Sequence, residues 1–231
     1  MIEFQNVTKV YPNGVVALSD VSLRIGDGEF VFVVGASGAG KSTLLRLLLR
    51  EEKVSSGNIL VNEYNLTTIP NRKIPYYRRQ LGIVFQDFKL FDHKTVYENI
   101  SFAMRAIGEP SSVIKKRVPA ILQSVNLTDK YKSFPSELSG GEQQRVSFAR
   151  AMANNPKIII ADEPTANVDP ELTFEIMNLL MKFNKMGKTV IVITHERNIV
   201  DYFKKRVITI NKGKIEEDTA SRIGGTVNAS L

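Results

Sequence analysis

Eight consecutive residues, Gly35-Ala36-Ser37-Gly38-Ala39-Gly40-Lys41-Ser42, carry the most specific chemistry in this chain. Two glycines enclose four residues ahead of a Lys-Ser pair, the phosphate-loop pattern. Glycine lets the backbone fold tightly enough for its N–H groups to converge on one phosphate. A helix beginning at the loop would turn its positive end toward the same anion. The pattern predicts ATP bound with Mg²⁺. Lys41 would bridge the β- and γ-phosphates, Ser42 Oγ would bind the metal, and Thr43 completes the nucleotide-binding stretch.

A second group is Ile158-Ile159-Ile160-Ala161-Asp162-Glu163. A hydrophobic strand delivers two carboxylates at its C-terminal end, where ligands sit in open α/β sheets. Asp162 would hold Mg²⁺ through water. Glu163 would polarise the attacking water as general base. Read alone, the same residues are an exposed acidic turn before Pro164.

A third group is Leu138-Ser139-Gly140-Gly141-Glu142-Gln143 ahead of a helical run over Glu142–Ala153. Ser139, Gly140 and Gly141 would form a second helix N-terminus suited to an anion. Read alone, Ser139 is equally a plain N-cap. One nucleotide does not need two such sites in one small domain. A head-to-tail dimer would use both, this loop capping the γ-phosphate held by the other copy.

The elements around these groups read as α/β. Ile2 and Phe4, then Val16, Leu18, Val21, Leu23 and Ile25, follow a period-two pattern with a slip at Ser19-Asp20. That suits half-buried antiparallel strands joined by the turn Tyr11-Pro12-Asn13-Gly14. Phe30–Val34 is apolar throughout, as a strand covered on both faces would be. Thr43–Arg50 reads as a helix, and Asn58–Val61 and Leu81–Phe85 as short strands. From about Val96 to Ala153 helical spacing dominates. Val113, Arg117, Ile121 and Val125 recur at four-residue steps, although Pro119 interrupts them. Ile158–Ala161, Val190–Thr194 and Val207–Ile210 are apolar strands, with a crossover helix over Thr173–Lys185. This strand–helix–strand order predicts a parallel sheet. After about Glu217 the chain turns small and polar and reads as a flexible tail over 218–231.

Bulk composition narrows the partners. In 231 residues no apolar run reaches the roughly 18 needed for a membrane span. The N-terminus lacks the basic-then-apolar pattern of a signal peptide. The chain has no cysteine, which excludes disulfides and thiolate metal sites and fits a reducing compartment. The net charge of +7 would suit nucleic acid or an anionic membrane surface. Its sources are short groups such as Lys115-Lys116-Arg117 and Lys204-Lys205-Arg206, the ordinary form of a solvated surface.

The three groups together resemble the ATP-binding cassette (ABC) family, the ATPase subunits of ABC transporters. Phosphate loop, signature Leu138–Gln143 and acidic strand end follow in family order, with Asp162 lying 23 positions after Ser139. The resemblance runs from about Ile2 to Glu217. It implies an ABC nucleotide-binding domain over 1–217: a P-loop NTPase parallel-sheet core, an N-terminal antiparallel β subdomain, and a helical signature subdomain at about 96–153. It also implies further positions. Tyr11 stands where the family stacks an aromatic ring on adenine, though a tyrosine also simply packs a hairpin turn. Gln86 looks like the glutamine that senses Mg²⁺ and contacts the membrane partner. Asn167-Val168-Asp169 resembles the aspartate loop that crosses the dimer interface, and Asp169 before Pro170 would also serve as a helix cap. His195 looks like the switch histidine at the γ-phosphate. Val168 replaces the usual leucine and Glu196 the usual Asp or Asn, neither a catalytic group. His93 matches no motif.

Within the family, Arg78–Leu90, Thr95–Ile100 and Phe134–Leu138 resemble the bacterial cell-division branch. That branch implies a homodimer of cassettes at the cytoplasmic face of the membrane. Its integral membrane partner would have four spans, and its closure would send a mechanical signal to peptidoglycan hydrolases. A lipoprotein-releasing or macrolide-type exporter subunit is the alternative. A nucleic-acid-associated ATPase is a further one, for which no base-stacking or groove-reading motif is present. Phe88, Leu90, Phe91 and Tyr97 after Gln86 would line the coupling groove, Phe91 and Tyr97 being equally readable as core.

Overall fold

The computed structural model describes residues 1–166 and 168–220. Along the chain lie β1 (Ile2–Val10), β2 (Val16–Ile25), β3 (Phe30–Val34), α1 (Lys41–Leu48), β4 (Ser56–Val61), β5 (Tyr64–Asn65) and α2 (Ile74–Arg78). Then come β6 (Leu81–Val84), α3 (Val96–Ala106), α4 (Ser111–Ser124), α5 (Gly140–Met152), β7 (Ile158–Asp162) and α6 (Pro170–Lys185). Last are β8 (Thr189–Thr194), α7 (Arg197–Phe203), β9 (Arg206–Asn211) and β10 (Lys214–Asp218). The described residues divide into two compact units, one of Met1–Arg78 with those from Ile191 to Ala220, the other of Arg79–Val190.

In the first unit β2, β1, β4 and β5 form an antiparallel sheet in that order. Its apolar residues alternate, burying Ile2, Phe4 and Val7 on β1 and Leu18, Val21, Leu23 and Ile25 on β2. The slip at Ser19-Asp20 is a bulge. The β1–β2 register shifts between Phe4 and Val7, at Asn6, and again between Val7 and Lys9, at Asp20, and these two residues take left-handed backbones at φ 49 and φ 54. Asn6 Nδ2 donates to Asp20 Oδ1 at 2.9 Å, so the two unusual residues hold each other. Elsewhere in this unit β3 runs parallel to β9, Val33 opposite Ile208, and β10 returns antiparallel beside β9.

Strand β10 has almost no apolar content, and a charged clamp holds it. Arg206 donates to both carboxylate oxygens of Asp218 (2.9 and 2.7 Å), to Glu29 Oε2 (2.7 Å) and to the Arg24 carbonyl (2.7 Å). Burial pushes the Asp218 carboxyl up. Its bonds from Arg206 and from the Ala220 amide, with the Arg206 charge, outweigh that and hold it below its ordinary value. Arg206→Leu is therefore expected to destabilise the protein by roughly 2–4 kcal/mol in urea denaturation, because it strands two carboxylates. A folded-state carboxyl pKa below the unfolded one stabilises at pH values above the unfolded pKa. That contribution disappears as pH falls through the folded pKa. The stability gap between wild type and Arg206→Leu should therefore narrow on acidification through the Asp218 titration.

The second unit has the parallel pair β6 and β7, Gly82 opposite Ile159, beside a helical core. That core buries Val96, Ile100 and Met104 of α3, Ile114, Val118 and Leu122 of α4, and Val146 and Ala149 of α5. The row Val113, Arg117, Ile121 and Val125 does lie along a helix, with Val125 its C-cap, but of that row only Val125 is fully buried, and the core face is Ile114, Val118 and Leu122. Pro119 lies within α4 without ending it, on its exposed side.

Three helices begin earlier than their apolar periodicity indicated: α1 at Lys41, α5 at Gly140 and α6 at Pro170. Their first residues are Lys-Ser, Gly-Gly and Pro-Glu, which read as loop although proline is favoured at a first helical position. The first residues of the expected tail are paired. Thr219 N donates to the Val207 carbonyl (3.0 Å) and Thr219 Oγ1 accepts from Val207 N (2.9 Å). Residues 221–231 of the expected tail lie outside the described residues.

Candidate functional site

The phosphate loop is positioned by β3, whose Phe30–Val33 are buried, and by α1 behind it. Gly40 is the N-cap of α1 at φ 115, a conformation that strains any side chain. A Cβ there would lie 2.7 Å from the Ala17 carbonyl. A Cβ on Gly35 would collide with the Ile210 carbonyl of β9. The β9–β10 turn braces the loop from one side: Gly213 N donates to the Ala39 carbonyl (2.9 Å), and Ser19 N donates to the Gly213 carbonyl (2.8 Å). Sequence reasoning passed over Gly213. Its signal was the turn sequence Asn211-Lys212-Gly213-Lys214 between two strands.

Lys41 is buried, and its ammonium donates to the carbonyls of Gly35 (2.6 Å) and Ala36 (3.1 Å). The loop is therefore curled around its own lysine. Ser42 is exposed on the first turn of α1, and Thr43 is buried with Oγ1 3.3 Å from the Tyr11 hydroxyl. Tyr11 is half-buried. Its turn is closed by Tyr11 N donating to the Val15 carbonyl and Gly14 N to the Tyr11 carbonyl, both at 2.9 Å. His195 is exposed at the end of β8. It lines a groove of about 650 Å³ together with Gly35 and Ala36.

The second unit gathers the other predicted residues. Gln86, Ser139, Gly140, Gly141 and Asp169 line one groove of about 770 Å³. Ser139 caps α5 in a reciprocal box: its hydroxyl accepts from Glu142 N (3.3 Å) and its own N–H donates to Glu142 Oε2 (2.9 Å). The Ser139 amide, with Lys130 at 3.3 Å, holds the Glu142 carboxyl below its ordinary value. Asp169 caps α6, Oδ1 accepting from Leu172 N at 2.9 Å. Both residues thus have the capping geometry that their sequence positions also suggested. A Cβ on Gly141 would come within 3.0 Å of both Leu172 methyl carbons, so Gly141 lets α5 approach the first turn of α6. A Cβ on Gly140 would meet nothing within 4 Å, which leaves that N-terminus open. Val168 lines the groove, while Asn167 lies outside the described residues.

Strand β7 ends at Asp162, and both Asp162 and Glu163 are part-exposed. Glu163 has a left-handed backbone at φ 47, and its carbonyl accepts from Ala166 N at 3.2 Å. Such a conformation in a non-glycine residue is uncommon and concentrates at functional sites. Buried Gln144 of α5 donates through Nε2 to the Pro164 carbonyl, tying the signature helix to the residue after Glu163. Sequence reasoning missed Gln144, because a glutamine inside a polar helical run gives no sign of burial.

Gln86 is exposed at the start of a loop that Arg150 of α5 secures. Phe88 and Lys89 are left-handed (φ 48 and 49), and the Arg150 guanidinium donates to both their carbonyls, 2.8 Å to Phe88. Burial pushes the Arg150 pKa down from its ordinary value. Beyond the loop, Phe91 is 39% exposed and meets Phe102 edge-on with centroids 4.8 Å apart, so Phe91 is surface. Tyr97 is half-buried at the margin of the helical core, as is Leu90. Buried Asn99 fixes the segment between by accepting from Phe91 N (2.8 Å) and donating to the Lys94 carbonyl (3.0 Å).

The first unit offers the loop and the Lys41 ammonium to an anion, with the Tyr11 ring beside Thr43. The second presents hard oxygen donors and an open helix N-terminus. The family model described as ABC transporter matches residues 18–166. The chain is 54% identical over 218 residues to the cell division ATP-binding protein FtsE of Bacillus subtilis (strain 168), covering 94% of this chain and 96% of that protein. It is 43% identical over 215 residues to FtsE of Escherichia coli (strain K12), covering 93% and 97%. Among solved structures, the dimeric post-hydrolysis ATP-binding cassette MJ0796 bound to ADP and Pi superposes with a TM-score of 0.83. It is 36% identical, covering 94% of this chain and 97% of that one. The chain belongs to the ABC transporter family, as an ATP-binding cassette that hydrolyses ATP.

Proposed function

We propose that this chain powers a bacterial cell-division complex, as FtsE does, by closing in pairs on ATP and moving an integral membrane partner resembling FtsX. The observation that carries this reading is the 54% identity to Bacillus subtilis FtsE, sustained over 94% of the chain. No described helix is long and apolar enough to cross a membrane, so action at a membrane calls for a partner that spans it. The chain would work at the cytoplasmic face.

In the proposed site Tyr11 stacks on adenine, the Gly35–Ser42 loop with Thr43 wraps the phosphates, and Ser139–Gly141 and Asp169 come from the second copy. Bound Mg²⁺ would neutralise phosphate charge as ATP is cleaved. The donor set fits it. Ser42 Oγ, Gln86 and Asp162 offer hard oxygens, and the described residues contain no group of three or more His, Cys, Asp or Glu that would cage a metal unaided. Mg²⁺ characteristically takes one or two protein oxygens and completes its shell with phosphates and water. Glu163 accepts the proton of the attacking water, while Lys41 and His195 stabilise charge on the transferred phosphoryl group.

Affinity capture of the tagged chain from detergent-solubilised membranes of its host tests the assignment. The reading predicts a four-span protein with a large outer loop. Recovery of a substrate-binding channel protein instead would make the chain an exporter subunit.

A further inference from the structure

Lys9 is one of the few buried charged residues, only 8% exposed, and lies two positions before Tyr11. Its ammonium donates to Glu52 Oε2 at 2.7 Å and to the Lys53 carbonyl at 2.9 Å. An ammonium has three N–H groups, and these two bonds use two of them. The third direction is taken by the Tyr11 ring, whose centroid lies 5.0 Å from Lys9 Nζ. A lysine near the end of a strand would ordinarily reach into water. Burying it beside a carboxylate and an aromatic face is costly unless every contact is used.

We infer that Lys9, fixed by Glu52, is a positioning residue for the adenine-stacking ring and helps set affinity for the nucleotide base. The inference rests on the proposal that Tyr11 stacks on adenine. Glu52 and Lys53 follow α1, the helix whose N-terminus carries the phosphate loop. The Lys9–Glu52 pair therefore ties the base-binding turn to the far end of the phosphate-binding helix. Ser55 adds to the tie: its N–H donates to the Thr8 carbonyl (2.8 Å), and its hydroxyl accepts from Val10 N (2.9 Å). The ring is thus held twice, at its hydroxyl by Thr43 and over one face by the ammonium. With a cation on one face, only the opposite face is left for a flat base. Tyr11 is presented in one orientation and need not be ordered when the nucleotide arrives.

Lys9→Met keeps the aliphatic stem and removes the cation. Its affinity for ATP and for ADP should fall by roughly three- to tenfold. KM for ATP should rise by a similar factor while kcat at saturating ATP is retained. Inorganic tripolyphosphate with Mg²⁺ presents phosphates without a base, and its binding should not change. Glu52→Gln, which preserves the shape of the site, should show the same pattern at smaller size and covers the case in which Lys9→Met folds poorly. In a Tyr11→Ala background, Lys9→Met should add nothing. Wild-type ATP affinity in Lys9→Met and Glu52→Gln alongside weakened binding in Tyr11→Ala would overturn the role of Lys9 and leave the nucleotide site standing. Loss of tripolyphosphate binding together with ATP would also overturn it, since Lys9 would then act through the phosphate loop. Unchanged ATP binding in Tyr11→Ala would instead remove the base-stacking reading on which the inference rests.

Discussion

Replacing Glu163 by glutamine is expected to lower ATP turnover by about 10²- to 10⁴-fold while ATP affinity stays within about twofold of wild type. The substitution preserves length and hydrogen-bonding shape, and glutamine meets the same backbone demand at φ 47. What disappears is the carboxylate able to take a proton from water. Because Gln144 anchors the neighbouring Pro164 carbonyl, the turn itself should survive. A phosphate-release assay paired with equilibrium ATP titration separates the two effects. Undiminished turnover in Glu163→Gln would assign the general base elsewhere.

The second large effect belongs to Lys41. Lys41→Ala should weaken ATP binding by about 10²-fold or more, since charge-assisted contacts to phosphate are among the strongest hydrogen bonds a protein makes. The structure adds a second loss. The Lys41 ammonium also satisfies the carbonyls of Gly35 and Ala36, so its removal loosens the loop that must present its amides. Adding back charge by Lys41→Arg should rescue little, because the planar guanidinium does not fit a point-charge slot. Calorimetric titration with ATP and Mg²⁺ reads the effect directly.

The placement of these two residues was legible in the sequence because their neighbours announce it: an apolar strand and a glycine loop for Lys41, an apolar strand end for Glu163. The same held for Ser139 and Asp169, whose capping geometry and groove position agree with both meanings their sequence allowed. Local detail was less legible. The four-residue steps of Val113, Arg117, Ile121 and Val125 mark the helix α4, but its core face is Ile114, Val118 and Leu122, which a stretch containing Lys115-Lys116-Arg117 hides. Helix α7, seven residues with no side-chain cap, is too short for a helical period to register. Strand β10 is Lys-Ile-Glu-Glu-Asp and exists through Arg206, a partner twelve positions away, which no periodicity reveals. Lys9 shows the same limit from the other side. A lysine in an alternating strand reads as solvent-facing, and only the fold brings Glu52 to it.

In the proposed dimer each ATP is enclosed by the phosphate loop of one copy and the Ser139 loop of another. Light scattering of Glu163→Gln with ATP and Mg²⁺, combined with counting of bound nucleotide, tests it most directly. A dimer holding two ATP molecules is expected, which reverts to monomer when Ser139→Arg is added. A Glu163→Gln monomer saturated with ATP would contradict it.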